Sequence, residues 1–84
     1  MEWTTDMSYS DYLNKISAAE KQLTYLNNRI RGVNKALGTA DNKAVIKALN
    51  DELRSLQSEI NTQNKIIKES RYLMRMLEER DRNR

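Results

Sequence analysis

From Tyr9, the side chains Tyr9, Tyr12, Ile16, Ala19, Leu23, Leu26, Ile30, Val33 and Leu37 recur in alternating steps of three and four. Such spacing is an a/d heptad stripe, which lines up along one side of a helix and demands an apolar surface opposite. A second stripe, Ile46, Leu49, Leu53, Leu56, Ile60, Gln63, Ile67, Ser70, Met74 and Leu77, follows in a different frame. Carrying the first count straight through would instead put Ala40, Ala44, Lys47, Asp51, Arg54 and Ser58 on the seam, three of them charged. The change of phase predicts two helices joined by a turn, not one dented helix.

The ends of these stripes carry matching chemistry. Ser8 and Asp11 stand at the two positions of a capping box, and Met7 and Tyr12 at those of a hydrophobic staple. Gly38 follows the last seam residue of the first stripe, where a left-handed residue often ends a helix. Thr39 or Asp41 then offers an oxygen to the first free amides of the next helix. The expected layout is one all-α domain over residues 1–84. It comprises an N-terminal segment (1–8), helix 9–37, turn 38–41, helix 42–80 and a frayed tail (81–84).

A short turn folds the helices into an antiparallel coiled-coil hairpin, whose seam partners run in opposite chain order. A turn centred near Ala40 predicts the pairs Val33/Ile46, Ile30/Leu49, Leu26/Leu53, Leu23/Leu56, Ala19/Ile60, Ile16/Gln63, Tyr12/Ile67 and Tyr9/Ser70. On that register roughly the last dozen residues, from Arg71 on, project past the start of helix 1, with Trp3 and Met7 free to fold over them. Beside the seam, Leu13, Val45, Ile66 and Leu73 broaden the apolar face. A chain of 84 residues buries a small fraction of its surface. It holds no cysteine for a disulfide and neither cysteine nor histidine for a metal staple. A broad face on so small a domain predicts assembly, first as a homodimer forming a four-helix bundle, then as a larger oligomer or a complex with a protein partner.

Composition also excludes chemistry. Without histidine or cysteine, and with two glycines, the chain has no His- or Cys-based nucleophile and no glycine-rich phosphate loop. The neighbours Asp51 and Glu52, like Glu78 and Glu79, diverge on a helix, and Glu52, Glu59 and Glu69 lack the histidines of carboxylate-bridged metal bundles. The expectation is a non-enzymatic protein with no cofactor, no metal and no small-molecule substrate. The opening MEWTTDMSYS carries an acid and hydroxyls where a secretory signal has basic and then apolar residues. A cytoplasmic or virion-associated protein with no membrane partner is expected, and the general character suits a phage or mobile element.

Nucleic acid is the alternative partner. Net charge is +3, from 15 basic and 12 acidic residues. Arg29, Arg31, Lys35, Lys43 and Lys47 gather around the turn, while Lys65, Lys68, Arg71, Arg75, Arg80, Arg82 and Arg84 crowd the C-terminal end. A basic tip could neutralise phosphates without reading bases, with Arg71 and Arg75 contributing from helix 2. Tyr25 and Tyr72 are the helical aromatics off the seam. The primary reading remains an interaction protein. Its interface would comprise Tyr9, Tyr12, Leu13, Ile16, Leu23, Leu26, Ile30, Val33 and Leu37 from helix 1. From helix 2 come Ile46, Leu49, Leu53, Leu56, Ile60, Gln63, Ile66, Ile67, Leu73, Met74 and Leu77. Gln63 is either a polar seam residue reaching water or a determinant of register and oligomer state.

Overall fold

The computed structural model describes residues 8–82. Two helices fill that span: α1, Tyr9–Thr39, and α2, Lys43–Arg82, folded against each other as a hairpin with extents of 64 × 22 × 14 Å. The expected Met7–Tyr12 staple, the folding back of Trp3 and Met7, and the last two tail residues lie outside the described residues.

The start of α1 is built by its capping box. The Ser8 Oγ accepts from the Asp11 N–H at 3.2 Å, and the Asp11 Oδ2 accepts from the Ser8 N–H at 3.0 Å. Two otherwise orphaned amides are thereby satisfied, and the Asp11 charge also suits the positive end of the helix.

The turn differs from expectation. Gly38 does not stop α1: neither glycine has a positive φ, and the helix continues to Thr39 before Ala40 leaves it in an extended conformation. A helical glycine forfeits only about 1 kcal/mol, so the helix's own backbone bonding and the packing of Leu37 at the seam carry it through. Thr39 donates its hydroxyl to the Ala36 carbonyl at 3.2 Å and caps nothing downstream. Asn42 performs that task, its Oδ1 accepting from the Ala44 N–H at 2.8 Å and the Val45 N–H at 3.4 Å. The link is thus Ala40, Asp41 and Asn42 instead of 38–41, and the helices span 9–39 and 43–82 instead of 9–37 and 42–80.

The midpoint of the link lies at Asp41 instead of just before Ala40. Val33 shares a groove with Leu49, Ile16 clusters with Ile67, and Leu26 packs in one group with both Leu53 and Leu56.

The core is a strip. Near the turn, Leu26, Val33 and Leu56 are buried, with Ile30, Leu37, Leu49, Leu53 and Ile60 packed around them. Toward the open end, Ile16, Ala19 and Ile67 form a smaller group flanked by Leu23, Ile66 and Met74. Among the described residues, Leu26 is the one large side chain fully closed off from solvent. Because α2 has 40 residues and α1 has 31, α2 outruns its neighbour by about nine residues, roughly 13 Å. The Tyr9 Oη ties this overhang back by donating to the Glu78 Oε2 at 3.1 Å.

Candidate functional site

Every position of the α2 stripe from Ile46 to Leu77 is buried or half-buried, and so is every α1 stripe position except exposed Tyr9. The heptad frame therefore stays true along the hairpin, and the positions beside it divide into two flanks and a back. Gln63 is half-buried, as are Ile46, Leu53, Leu77, Tyr12 and Leu37.

One flank is apolar and weakly acidic. On α2 it carries Val45, Ala48, Ile66, Leu73 and Met76, together with Glu52, Glu59 and Glu69. On α1 it carries Ala18, Tyr25, Gly32 and Ala36, with Lys15 and Arg29. Leu73 is 40% exposed and Met76 48% exposed, so the apolar surface continues from the half-buried Ile66 into solvent. Arg29 forms an ion pair with Glu52 across the two helices on this side. Beside that pair a shallow groove is lined by Asn28, Gly32, Val33, Ala36 and Leu49. A Cβ added at Gly32 would meet nothing, so the groove floor lies open there.

The opposite flank is polar and basic. Lys43, Lys47, Asn50, Arg54, Gln57, Asn61, Asn64, Lys68, Arg71, Arg75, Glu78 and Arg82 follow one another along α2 in alternating steps of four and three, all exposed. Asp51 borders this row and bonds Lys47 at 3.2 Å and Arg54 at 3.6 Å. Arg71 approaches Glu20 of α1 at 3.7 Å. Two shallow grooves lie on the row, one walled by Lys43, Lys47, Asn50 and Arg54, the other by Asn64, Lys68, Arg71, Tyr72 and Arg75. Leu13, exposed on α1, is the large apolar residue of this side.

The basic tip read from the sequence does not gather into one surface. Arg29 points to the apolar flank and is held by Glu52, Arg31 falls on the basic flank, and Lys35 sits on the back. Lys43 and Lys47 instead join Arg71 and Arg75 along α2. Arg54 was missed as a candidate contact, and Lys68 and Arg82 counted only as part of a terminal crowd. The signal for all three was present as a cation recurring at b and e positions, a period obscured by looking for runs along the chain.

Among the described residues no cluster of three or more carboxylates could hold a metal ion, and no helix is long and apolar enough to cross a membrane. The Tyr9 phenol is pushed above its ordinary pKa, first by its hydrogen bond to Glu78 and then by that carboxylate's charge. Set against protein-family models, curated proteins and solved structures, the chain matches none.

Proposed function

We propose that the chain is a non-enzymatic assembly protein, an antiparallel coiled-coil hairpin that pairs with a second copy of itself through its apolar flank. The observation that carries this reading is the surface running from Ile66 through Leu73 and Met76 toward Leu77 at the overhanging end of α2. Two helices alone leave this strip half in water, whereas a second hairpin laid along it would complete a four-helix core. The polar residues of the same flank suit such pairing, because Arg29 and Lys15 on one copy can face Glu59 and Glu69 on the other. The overhang, continuing past α1, gives a protein partner a place to dock on the assembled pair.

The native mass of the full chain decides the matter. A dimer is expected at micromolar concentration. Leu73→Glu with Met76→Glu should lower the pairing affinity at least a hundredfold, roughly tenfold or more for each charge placed in the interface. Both side chains are substantially exposed in the single hairpin, so helical content measured by circular dichroism should survive. A wild-type chain that stays monomeric at high concentration would sink the proposal.

A further inference from the structure

The polar face of α2 is harder to explain as mere solubilisation. Of the twelve residues in its row, seven are basic (Lys43, Lys47, Arg54, Lys68, Arg71, Arg75 and Arg82), four are amides and one, Glu78, is acidic. Like charges stand one turn apart at Lys43 and Lys47, at Lys68 and Arg71, and at Arg71 and Arg75, where they repel, and the carboxylates of Asp51 beside Lys47 and Arg54 and of Glu20 beside Arg71 offset only part of that. Lys43 and Lys47 also occupy the N-terminal turns of α2, the end where the helix dipole disfavours cations, and no acid occupies that first turn. A solvated face would be steadier with signs interleaved, as they are on the other flank. The repulsion is relieved when a polyanion lies along the row.

We infer that this face binds the phosphate backbone of duplex nucleic acid without regard to sequence. The cations form two groups, Lys43, Lys47 and Arg54 near the turn and Lys68, Arg71 and Arg75 toward the open end, separated by Gln57, Asn61 and Asn64. At ~1.5 Å per residue the group centres are about 35 Å apart, which is about one turn of B-form duplex. A straight helix lying along a duplex therefore meets the backbone with its first group and meets it again, one turn on, with its second. The amides between span the intervening groove, where they can donate to sugar and phosphate oxygens as well as accept.

An anionic membrane fits less well, because a helix that lies in a lipid surface needs an apolar face beneath its cations. Here the seam face of α2 is packed against α1, its exposed apolar strip lies on the opposite flank, and the residues between the two cation groups are amides. Single strands are usually gripped by stacking on successive aromatics. This row carries only Tyr72 at its edge.

The inference stands apart from self-assembly, since the two surfaces lie on opposite flanks. Its test is fluorescence anisotropy of the full chain against a labelled duplex of mixed sequence, about 24 base pairs long, over a series of salt concentrations. Binding should weaken with salt at a log–log slope of about −4, as expected for four or five phosphates neutralised. An 8-base-pair duplex, too short to reach both groups, should bind at least thirtyfold more weakly. The triple variant Arg54→Gln, Lys68→Gln, Arg75→Gln should weaken binding at least tenfold and flatten the slope by about two to three. Lys21→Gln, Lys35→Gln, Lys65→Gln removes the same net charge from the exposed back of the hairpin, outside both flanks, and should change affinity less than threefold. Glutamine is a good helix former at all these exposed positions, and circular dichroism checks that the fold persists. Equal losses in the two triple variants would reduce the effect to net charge and overturn the inference. So would tighter binding to single strands or to phosphatidylserine vesicles, or no salt-dependent binding at all. Failure of the Leu73 and Met76 variants to alter mass would leave this result untouched.

Discussion

The two flanks of the hairpin are contributed by the same pair of helices and lie within one helix diameter of each other, yet their side chains follow different rules. On the Ile66–Leu73–Met76 side, apolar residues alternate with glutamates and a cross-helix ion pair fixes Arg29 to Glu52. On the Lys43–Arg82 side of α2, two groups of cations are separated by amides, and Glu78 is the one acid of the row. Burial at the seam constrains only a and d positions; it says nothing about which residues stand beside them. This asymmetry is what the two proposed partners, a second copy on one flank and a polyanion on the other, would require.

That contrast depends on a single helical phase, so the largest effect comes from the seam that sets it. Leu26→Ala, at the one fully enclosed side chain, should lower unfolding stability by about 2–5 kcal/mol in a denaturant titration. A cost below 1 kcal/mol would mean that the strip between the helices is loosely packed and the flanks are not fixed.

The next test concerns the residue that starts α2 in its phase. Asn42→Ala should cost about 1 kcal/mol, because two amides lose their acceptor, while Thr39→Ala and Asp41→Ala should each change stability by less than about 0.5 kcal/mol. The opposite ranking would move the start of α2 and with it the alignment of Lys43 and Lys47.

The two glycines compare the flanks directly. Gly38 lies toward the basic side and Gly32 on the apolar side, both within α1 and both with open space where a Cβ would go. Each alanine substitution should stabilise the single hairpin by about 0.5–1 kcal/mol. If copies pair through the apolar flank, however, Gly32→Ala should also weaken dimerisation where backbones approach, and Gly38→Ala should not. Equal behaviour of the two in a dilution series would separate the pairing surface from Gly32.

The smallest effect is at the open end. The Tyr9 phenol should titrate above the ordinary phenol value in a phenolate absorbance experiment, and Glu78→Gln should bring it back down. Since the folded value is raised, the bond contributes in full below the ordinary phenol pKa and is lost as pH climbs through the raised one. No change with Glu78→Gln would assign the shift to another cause.

How much of this was legible in advance varies by element. The α1 stripe and the Ser8–Asp11 capping box read straight from the sequence because both rest on contacts within a few residues. The link was misplaced for a physical reason. Gly38, Thr39, Asp41 and Asn42 can each end or begin a helix, and local preference among them amounts to a fraction of a kcal/mol. The choice among them depends on packing between the helices, a tertiary demand no short window contains. On the basic flank the positions were visible but the period was not, because Arg54, Lys68 and Arg82 are separated by acids in the chain and fall into one row only on the folded helix.

The three-residue link has a kinetic consequence. Contacts nearest the turn join residues close in the chain, so little loop entropy is lost in making them, and the cluster around Leu26, Val33 and Leu56 can form first. The hairpin should then zip from its tip toward Tyr9, and unzip from the other end. Fluctuations of the native state should accordingly concentrate where Ile16, Ile67 and the α2 overhang meet solvent, giving the fastest amide exchange among mid-helix residues at the open end and the slowest around Leu26 and Leu56.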